Sequence, residues 1–252
     1  MNGQKSNSTQ TDTYHHGDLR RSLIEAALAM AAEEQNWTFS LREVARRAGV
    51  SHNAPYSHFR DKVELLSAIA AAGFAMLRDR MLAAIEGVDA VDAAFVGSGV
   101  AYVKFGLEHP TLYRLMFSSA LATSKEGRPA SVIAAGDEAR AVLYEVIRRC
   151  ARARVFPSYF SGGEPLQIAA LTAWSTVHGL TMLAIDDLTG APKAFLDHAA
   201  GTVAQIVCAG FQESTVATRS TSRISKLPTK QTASAKAPGK NSAASRRQSG
   251  VS

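Results

Sequence analysis

The chain has 252 residues, 46% of them apolar and 20% charged, with a formal net charge of +6, which is enough apolar material for one large or two modest cores and excludes a chain too polar to collapse. Its two cysteines, Cys150 and Cys208, stand far apart in sequence inside apolar helical patterns, which excludes a disulfide framework and a paired-cysteine zinc site. No run approaches the ~18 consecutive apolar residues of a membrane span, and the first thirty residues are polar rather than leader-like, so the expectation is a cytoplasmic protein with no membrane partner.

Residues 1–17 read as a flexible polar arm. Asp18, a good acceptor for free backbone N–H groups, opens a first helix with Leu19, Leu23, Ala26, Ala27 and Met30 on one face; the pattern stops between Gln35 and Thr38. Ser40-Leu41-Arg42-Glu43 is a capping box, followed by Leu41, Val44, Ala45 and Ala48 facing inward. Gly49 ends this second helix, because glycine alone enters the left-handed region without a side-chain penalty, and Val50 supplies an apolar plug. Ser51 caps a third helix that reaches about Phe59. Asp61 caps a longer fourth, with Val63, Leu66, Ile69, Ala70, Gly73 and Leu77 along one stripe.

Further helices are predicted at about 89–108, 110–118, 130–154, 165–187 and 192–212, punctuated by Pro110, Pro129, Gly162-Gly163, Pro165, Gly190 and Pro192. The last two are apolar on more than one face. Ala169, Ala173, Trp174, Val177 and Leu180 mark one; Leu196, Ala199, Ala200, Val203, Ile206, Val207 and Phe211 mark the other, and such surplus calls for a partner subunit. Alternating strand patterns are nearly absent, so the fold class is all-α. From residue 214 the chain turns to Ser, Thr, Ala, Lys and Pro, which reads as a disordered basic tail.

Two short capped helices joined by Ala48-Gly49-Val50-Ser51, with a longer helix on either side, form a helix-turn-helix reading head over residues 18–62. The turn glycine lets the pair cross steeply. The capped start of the third helix then aims backbone N–H groups and short polar side chains outward, at a width that suits a DNA major groove. Residues 40–62 are locally cationic, with Arg42, Arg46, Arg47, Arg60 and Lys62 against Glu43 and Asp61, as phosphate contact requires.

Phe39-Ser40-Leu41-Arg42-Glu43-Val44-Ala45-Arg46-Arg47-Ala48-Gly49-Val50-Ser51, with Tyr56-Ser57-His58-Phe59 and Asp61-Lys62, resembles the DNA-binding domain of the tetracycline-repressor (TetR) family over about residues 18–70. Trp174-Ser175-Thr176-Val177-His178-Gly179 resembles the Trp, His, Gly motif of one C-terminal ligand-binding and dimerisation domain in that family, and Pro110 to Phe117 is similar to a segment of the same domain. The resemblance implies that Ser40 and Arg42 contact phosphate or a base edge. It implies also that His52, Asn53 and Ala54 enter the groove behind the Ser51 cap, while Tyr56, His58 and Lys62 hold the backbone. Pro55 departs from the commoner pattern: as fourth helical residue after Ser51 it removes the first intrahelical hydrogen bond, so the helix starts later or bends.

For residues 63–213 the resemblance implies a ligand-binding and dimerisation domain. Its partners would be double-stranded DNA at a palindromic operator, a second copy of the chain and an unidentified small molecule that releases a repressor, with no cofactor; activation stays open. Phe95, Tyr102, Phe105, Met116, Phe117 and Trp174 are the apolar candidates for a ligand cavity, with His178 beside them. Trp174 and His178, four apart on one helix face, equally fit a packed aromatic beside a satisfied histidine.

The charge distribution qualifies the DNA reading. Residues 63–213 carry twelve basic and fifteen acidic side chains, whereas residues 214–252 carry eight basic and none acidic. The basic excess therefore sits in the tail, which either is a solvated extension or raises DNA affinity through counterion release. An architectural DNA-binding protein led by that tail is the first rival; placement at the nucleoid follows from either DNA reading. A helical enzyme using His178 or His109 as a base is the second, and no nucleophile, carboxylate partner, phosphate loop or metal motif at diagnostic spacing supports it. His15-His16 lacks the spacing of a metal site and is read as part of an arm near DNA.

Overall fold

The structure is a computed structural model that describes residues 16–121 and 127–214. Among them are eight α-helices and no β-strand: α1 (His16–Glu34), α2 (Leu41–Arg47), α3 (Lys62–Ile85), α4 (Val91–Glu108), α5 (Pro110–Phe117), α6 (Ala130–Arg152), α7 (Gly163–Ile185) and α8 (Lys193–Gln212). Most of the arm, including His15, and the tail beyond residue 214 lie outside the described residues.

α1 begins at His16, so Asp18 falls within its first turn instead of capping it. Leu23, Ala27, Met30 and Ala31 bury its apolar face, and Gln35 ends it in the left-handed region at φ 56°. α2 has the anticipated capping box: the Glu43 N–H donates to Ser40 Oγ at 3.3 Å while the Ser40 N–H donates to Glu43 Oε2 at 2.7 Å. Its end closes by a paired return, with Gly49 N–H to the Arg46 carbonyl at 3.2 Å and Val50 N–H to the Ala45 carbonyl at 3.0 Å. That return needs Gly49 at φ 71°.

The expected third α-helix is a single 3-10 turn, Ala54–Ser57. Ser51 contributes its carbonyl, which accepts from the Ala54 N–H at 2.9 Å, and no side chain caps the turn. Pro55 explains the difference: it is buried, it brings no N–H, and the turn closes instead on its carbonyl, to which the N–H groups of His58 and Phe59 donate at 3.0 and 2.9 Å.

α3 starts on Asp61, whose Oδ1 accepts from the Glu64 N–H at 2.9 Å. Its buried stripe is Leu65, Ile69, Ala70, Gly73, Phe74, Leu77 and Met81. Val63 is exposed and Leu66 half-buried, contrary to the expected stripe, because the first turn of α3 faces the head core through Leu65. One apolar cluster runs without interruption from Leu23, Leu41, Val44 and Phe59 of the head through α3 to α4, α5 and α6.

α4 lies centrally, packed on α3, α6, α7 and α8. A Cβ at Gly106 would stand 2.1 Å from Thr181 Cγ2 on α7, so glycine is what lets these two helices touch there. A second core joins α4, α6, α7 and α8 through Phe95, Val146, Ile147, Phe156, Leu166, Ala173 and Phe211. Cys150 and Cys208 share this core as free thiols, and burial, then the neighbouring Cys208, pushes Cys150 up to about 12. α7 and α8 are long and apolar enough, by length and composition, to match a membrane span. Each nevertheless buries one face on α4, and each leaves large apolar side chains at the surface.

Candidate DNA-reading head and ligand cavity

The head is built from short elements that are stopped sharply. α1 packs on α2 and α3, and Phe59, 1% exposed, fills the space below the 3-10 turn. Arg20 lies over the Phe59 ring at 5.4 Å. Above that core, Ser51, His52 and Asn53 are exposed, Ala54 is half-buried and Tyr56 is 49% exposed.

The cations of the head divide into two groups. Arg47 is bound to Glu33 of α1, and Arg60 Nε pairs with Glu64 at 3.1 Å. Lys62 sits over the Phe39 ring at 5.4 Å, and burial lowers its pKa against the opposing pull of Glu43. Arg42 and Arg46 are exposed on α2 and form no salt bridge among the described residues. Charge left over for a phosphate backbone therefore lies on α2, with the exposed Arg20 of α1 in the same class.

A cavity of about 200 Å³ opens between α3, α4, α6, α7 and α8. Phe74, Leu77 and Met81 of α3, Phe95 of α4 and Val132 and Leu143 of α6 give it an apolar wall. Beside it lies a hydrogen-bonded polar cluster. The Trp174 indole N–H donates to Tyr102 Oη at 3.0 Å, and the Tyr113 hydroxyl donates to the same oxygen at 2.8 Å. His178 Nδ1 stands 2.6 Å from Tyr113 Oη and 3.1 Å from Tyr102 Oη, with roles set by its tautomer. Burial drives both phenols well above the ordinary tyrosine range and lowers His178, so the cluster stays uncharged at neutral pH.

Two family models match the chain. "Bacterial regulatory proteins, tetR family" covers residues 23–69, the reading head and the start of α3, and "Tetracyclin repressor-like, C-terminal domain" covers residues 95–205, the helices around the cavity. The chain belongs to the TetR family.

It is accordingly a TetR-family transcriptional regulator with a helix-turn-helix DNA-binding domain. Among solved structures it is similar to a protein of unknown function from Rhodococcus sp. RHA1, at 32% identity and TM-score 0.66, over 80% of this chain and 100% of that one. It shares its fold with the TetR family transcriptional regulator PfmR from Thermus thermophilus, at 20% identity and TM-score 0.56, over 74% and 97% of the two chains. LfrR from Mycobacterium smegmatis, solved in complex with proflavine, has the same fold at 20% identity and TM-score 0.50, over 74% and 95%.

The sequence-expected residues of this TetR-family chain fall into distinct places. Ser40 is exposed, but its hydroxyl is engaged with Glu43, to which it donates at 2.8 Å. His58 is half-buried beside Phe59, with ring centroids 6.4 Å apart. Of the ligand candidates, Phe95, Tyr102, Phe117 and Trp174 line the cavity. Phe105 and Met116 do not: both are fully buried, Phe105 with its ring tilted against His109 at 5.1 Å and Met116 wedged against Gly73. His178 does not line the cavity and stands behind three residues that do, Tyr102, Phe117 at 4.5 Å between ring centroids and Trp174 at 5.8 Å.

Sequence reasoning missed Tyr113, Arg128 and Arg140. Tyr113 was visible as a polar-tipped aromatic in an apolar run. The two arginines carried no signal, since an arginine in a loop, like Arg128, or in the middle of a charged helix, like Arg140, reads as solvated.

Proposed function

We propose that the chain is a homodimeric repressor that leaves its operator when a small molecule fills the cavity. Two reading heads on a two-fold axis would enter successive major grooves of a palindromic operator, ~34 to 36 Å apart or a multiple of it. Arg42, Ser51, His52, Asn53 and Tyr56 are the exposed groups available for the duplex, with Ala54 at the turn; Ser40, His58 and Lys62 act from behind by holding the α2 start and the turn in place.

The observation that carries this reading is α3. One continuous helix begins at the Asp61 cap of the head and lines the cavity with Phe74, Leu77 and Met81. A ligand that prefers one tilt of α3 therefore shifts the spacing of the heads, and it weakens DNA binding by no more than its differential affinity for the two tilts. α5 supplies a second connection: Phe117 lines the cavity, while the Thr111 carbonyl accepts from the Trp37 indole N–H at 3.2 Å, next to α2.

Dimerisation is assigned to α7 and α8, which leave Ile168, Leu171, Leu183, Phe195 and Ile206 between 47% and 64% exposed. Paired with their copies they would form a four-helix interface. The solved complex of LfrR with proflavine supports small-molecule capture by this fold.

The test is selection of genomic DNA fragments by the purified full chain, followed by affinity measurements at fixed salt on the recovered site. Arg42→Ala and Tyr56→Ala are expected to weaken binding at least tenfold while helicity and sedimentation stay unchanged. Unaltered affinity in both variants overturns the assigned face. Ile206→Glu is expected to yield monomers with reduced operator affinity; a dimer that persists overturns the assigned interface.

A further inference from the structure

Resting on the reading of this cavity as the effector site, we infer that its occupant is a small apolar carboxylate: one ring or a short acyl chain bearing a single negative group. Among the described residues the lining holds two ionic side chains, Arg128 and Arg140, and no Asp, Glu or Lys. Every other lining residue is apolar, aromatic or glycine except Ser98, whose hydroxyl donates to the Phe95 carbonyl at 2.7 Å.

Arg128 is half-buried at the loop before α6 and donates to the Met116 carbonyl; among the described residues no carboxylate pairs with it. Its guanidinium has further donors, and a partly desolvated cation facing an apolar wall is stabilised by an anion and repels a cation. Arg140 stacks over the Trp174 ring at 5.7 Å and pairs with Asp137 at 2.9 Å on the solvent side, which holds its charge at the rim. Carboxylate oxygens match the fork of an arginine in a way that a neutral amide does not.

Size narrows the class. An apolar cavity near 150 Å³ accepts benzene, so a space of about 200 Å³ suits a substituted ring or a short chain. The ring or chain would lie among Phe74, Phe95 and Val177, with its charged end toward Arg128.

Calorimetric titration of the full chain at pH 7.5 with benzoate, octanoate, benzamide and benzylamine tests this. Benzoate or octanoate is expected to bind at least tenfold more tightly than benzamide, and benzylamine least. Arg128→Gln is expected to bring the carboxylate down to the amide's level and Arg128→Lys to restore part of the preference, with circular dichroism checking the fold. Arg140→Gln, at the rim, is expected to give a smaller loss and serves if Arg128→Gln does not fold. Gly136→Leu, which fills the cavity beside Phe74, is expected to abolish binding of every probe.

Equal or better binding of benzamide or benzylamine overturns the carboxylate assignment, as does the absence of any carboxylate binding. If those neutral or cationic probes are lost in Gly136→Leu, the effector site survives that failure. If carboxylate binding is unaffected by Gly136→Leu, the cavity is not the site and both readings fall.

Discussion

The head and the cavity are held by different kinds of interaction. In the head, short elements are fixed by contacts a few residues apart: Ser40 with Glu43, Gly49 and Val50 with Arg46 and Ala45, Asp61 with Glu64. Around the cavity the determining contacts join residues tens of positions apart, Trp174 with Tyr102 and Gly106 with Thr181 among them. Caps fix where a helix begins and ends; they do not fix which helices lie beside it. On the proposed mechanism both are used, a locally fixed reading unit being shifted by remote packing around the cavity. α3 is the element the two regions share.

The largest expected effect breaks the head at the bulkiest of its fully buried side chains. Phe59 is fully buried in the apolar cluster that continues into α3. Phe59→Ala leaves a cavity in that cluster, and about 3–5 kcal/mol of stability is expected to go. Denaturant unfolding measures it, and loss of operator binding should precede global unfolding. An intact transition midpoint would mean that the caps alone sustain the head.

A second variant probes the remote contacts. Gly106→Ala forces a methyl group to 2.1 Å from Thr181 Cγ2, so α4 and α7 must separate, at about 1–3 kcal/mol. Thr181→Ser removes that methyl while keeping the hydroxyl that donates to the Val177 carbonyl at 2.7 Å. The double variant is therefore expected to recover most of the melting temperature lost by Gly106→Ala. Additive losses in the cycle would show that the clash lies elsewhere, against the Tyr113 ring.

The same division explains what was legible in the sequence. The capping box, the glycine return and the Asp61 cap were readable because each is complete within a few residues. The 3-10 turn was legible in part: Pro55 announced a missing donor, but the number of hydrogen bonds that survive depends on Phe59 being drawn into the core beneath. At the cavity, periodicity singled out Phe95, Phe105, Met116 and Phe117 alike as apolar. Which of them faces space and which faces a neighbour is decided by the rotation of α4 and α5 against four other helices, and no one-dimensional pattern contains that angle. Arg128 and Arg140 were hidden for a related reason, since their significance is the apolar wall that folding brings up to them, and for Arg128 the lack of a paired carboxylate among the described residues.

The smallest expected effect sharpens the local side of the comparison, because the capping box titrates. The Ser40 N–H, and then its hydroxyl, hold the Glu43 carboxyl below the ordinary glutamate value of 4.5. A group whose pKa falls on folding stabilises fully above its unfolded pKa and loses that contribution as pH drops through the folded value. Glu43→Gln keeps an acceptor for the Ser40 N–H but cannot titrate, so its stability should be flatter with pH below 4.5 than that of the parent. Ser40→Ala removes the hydroxyl that caps the Glu43 N–H and donates to the carboxylate, while the backbone N–H at position 40 still donates to it, and costs about 1 kcal/mol at neutral pH. Melting temperatures of the three proteins between pH 3 and 7 measure these slopes. If the parent and Glu43→Gln run parallel across that window, the carboxylate is not what holds the start of α2, and the local hydrogen bonds of the head give way to Leu41 and Val44, its buried contacts, as the restraint on Arg42.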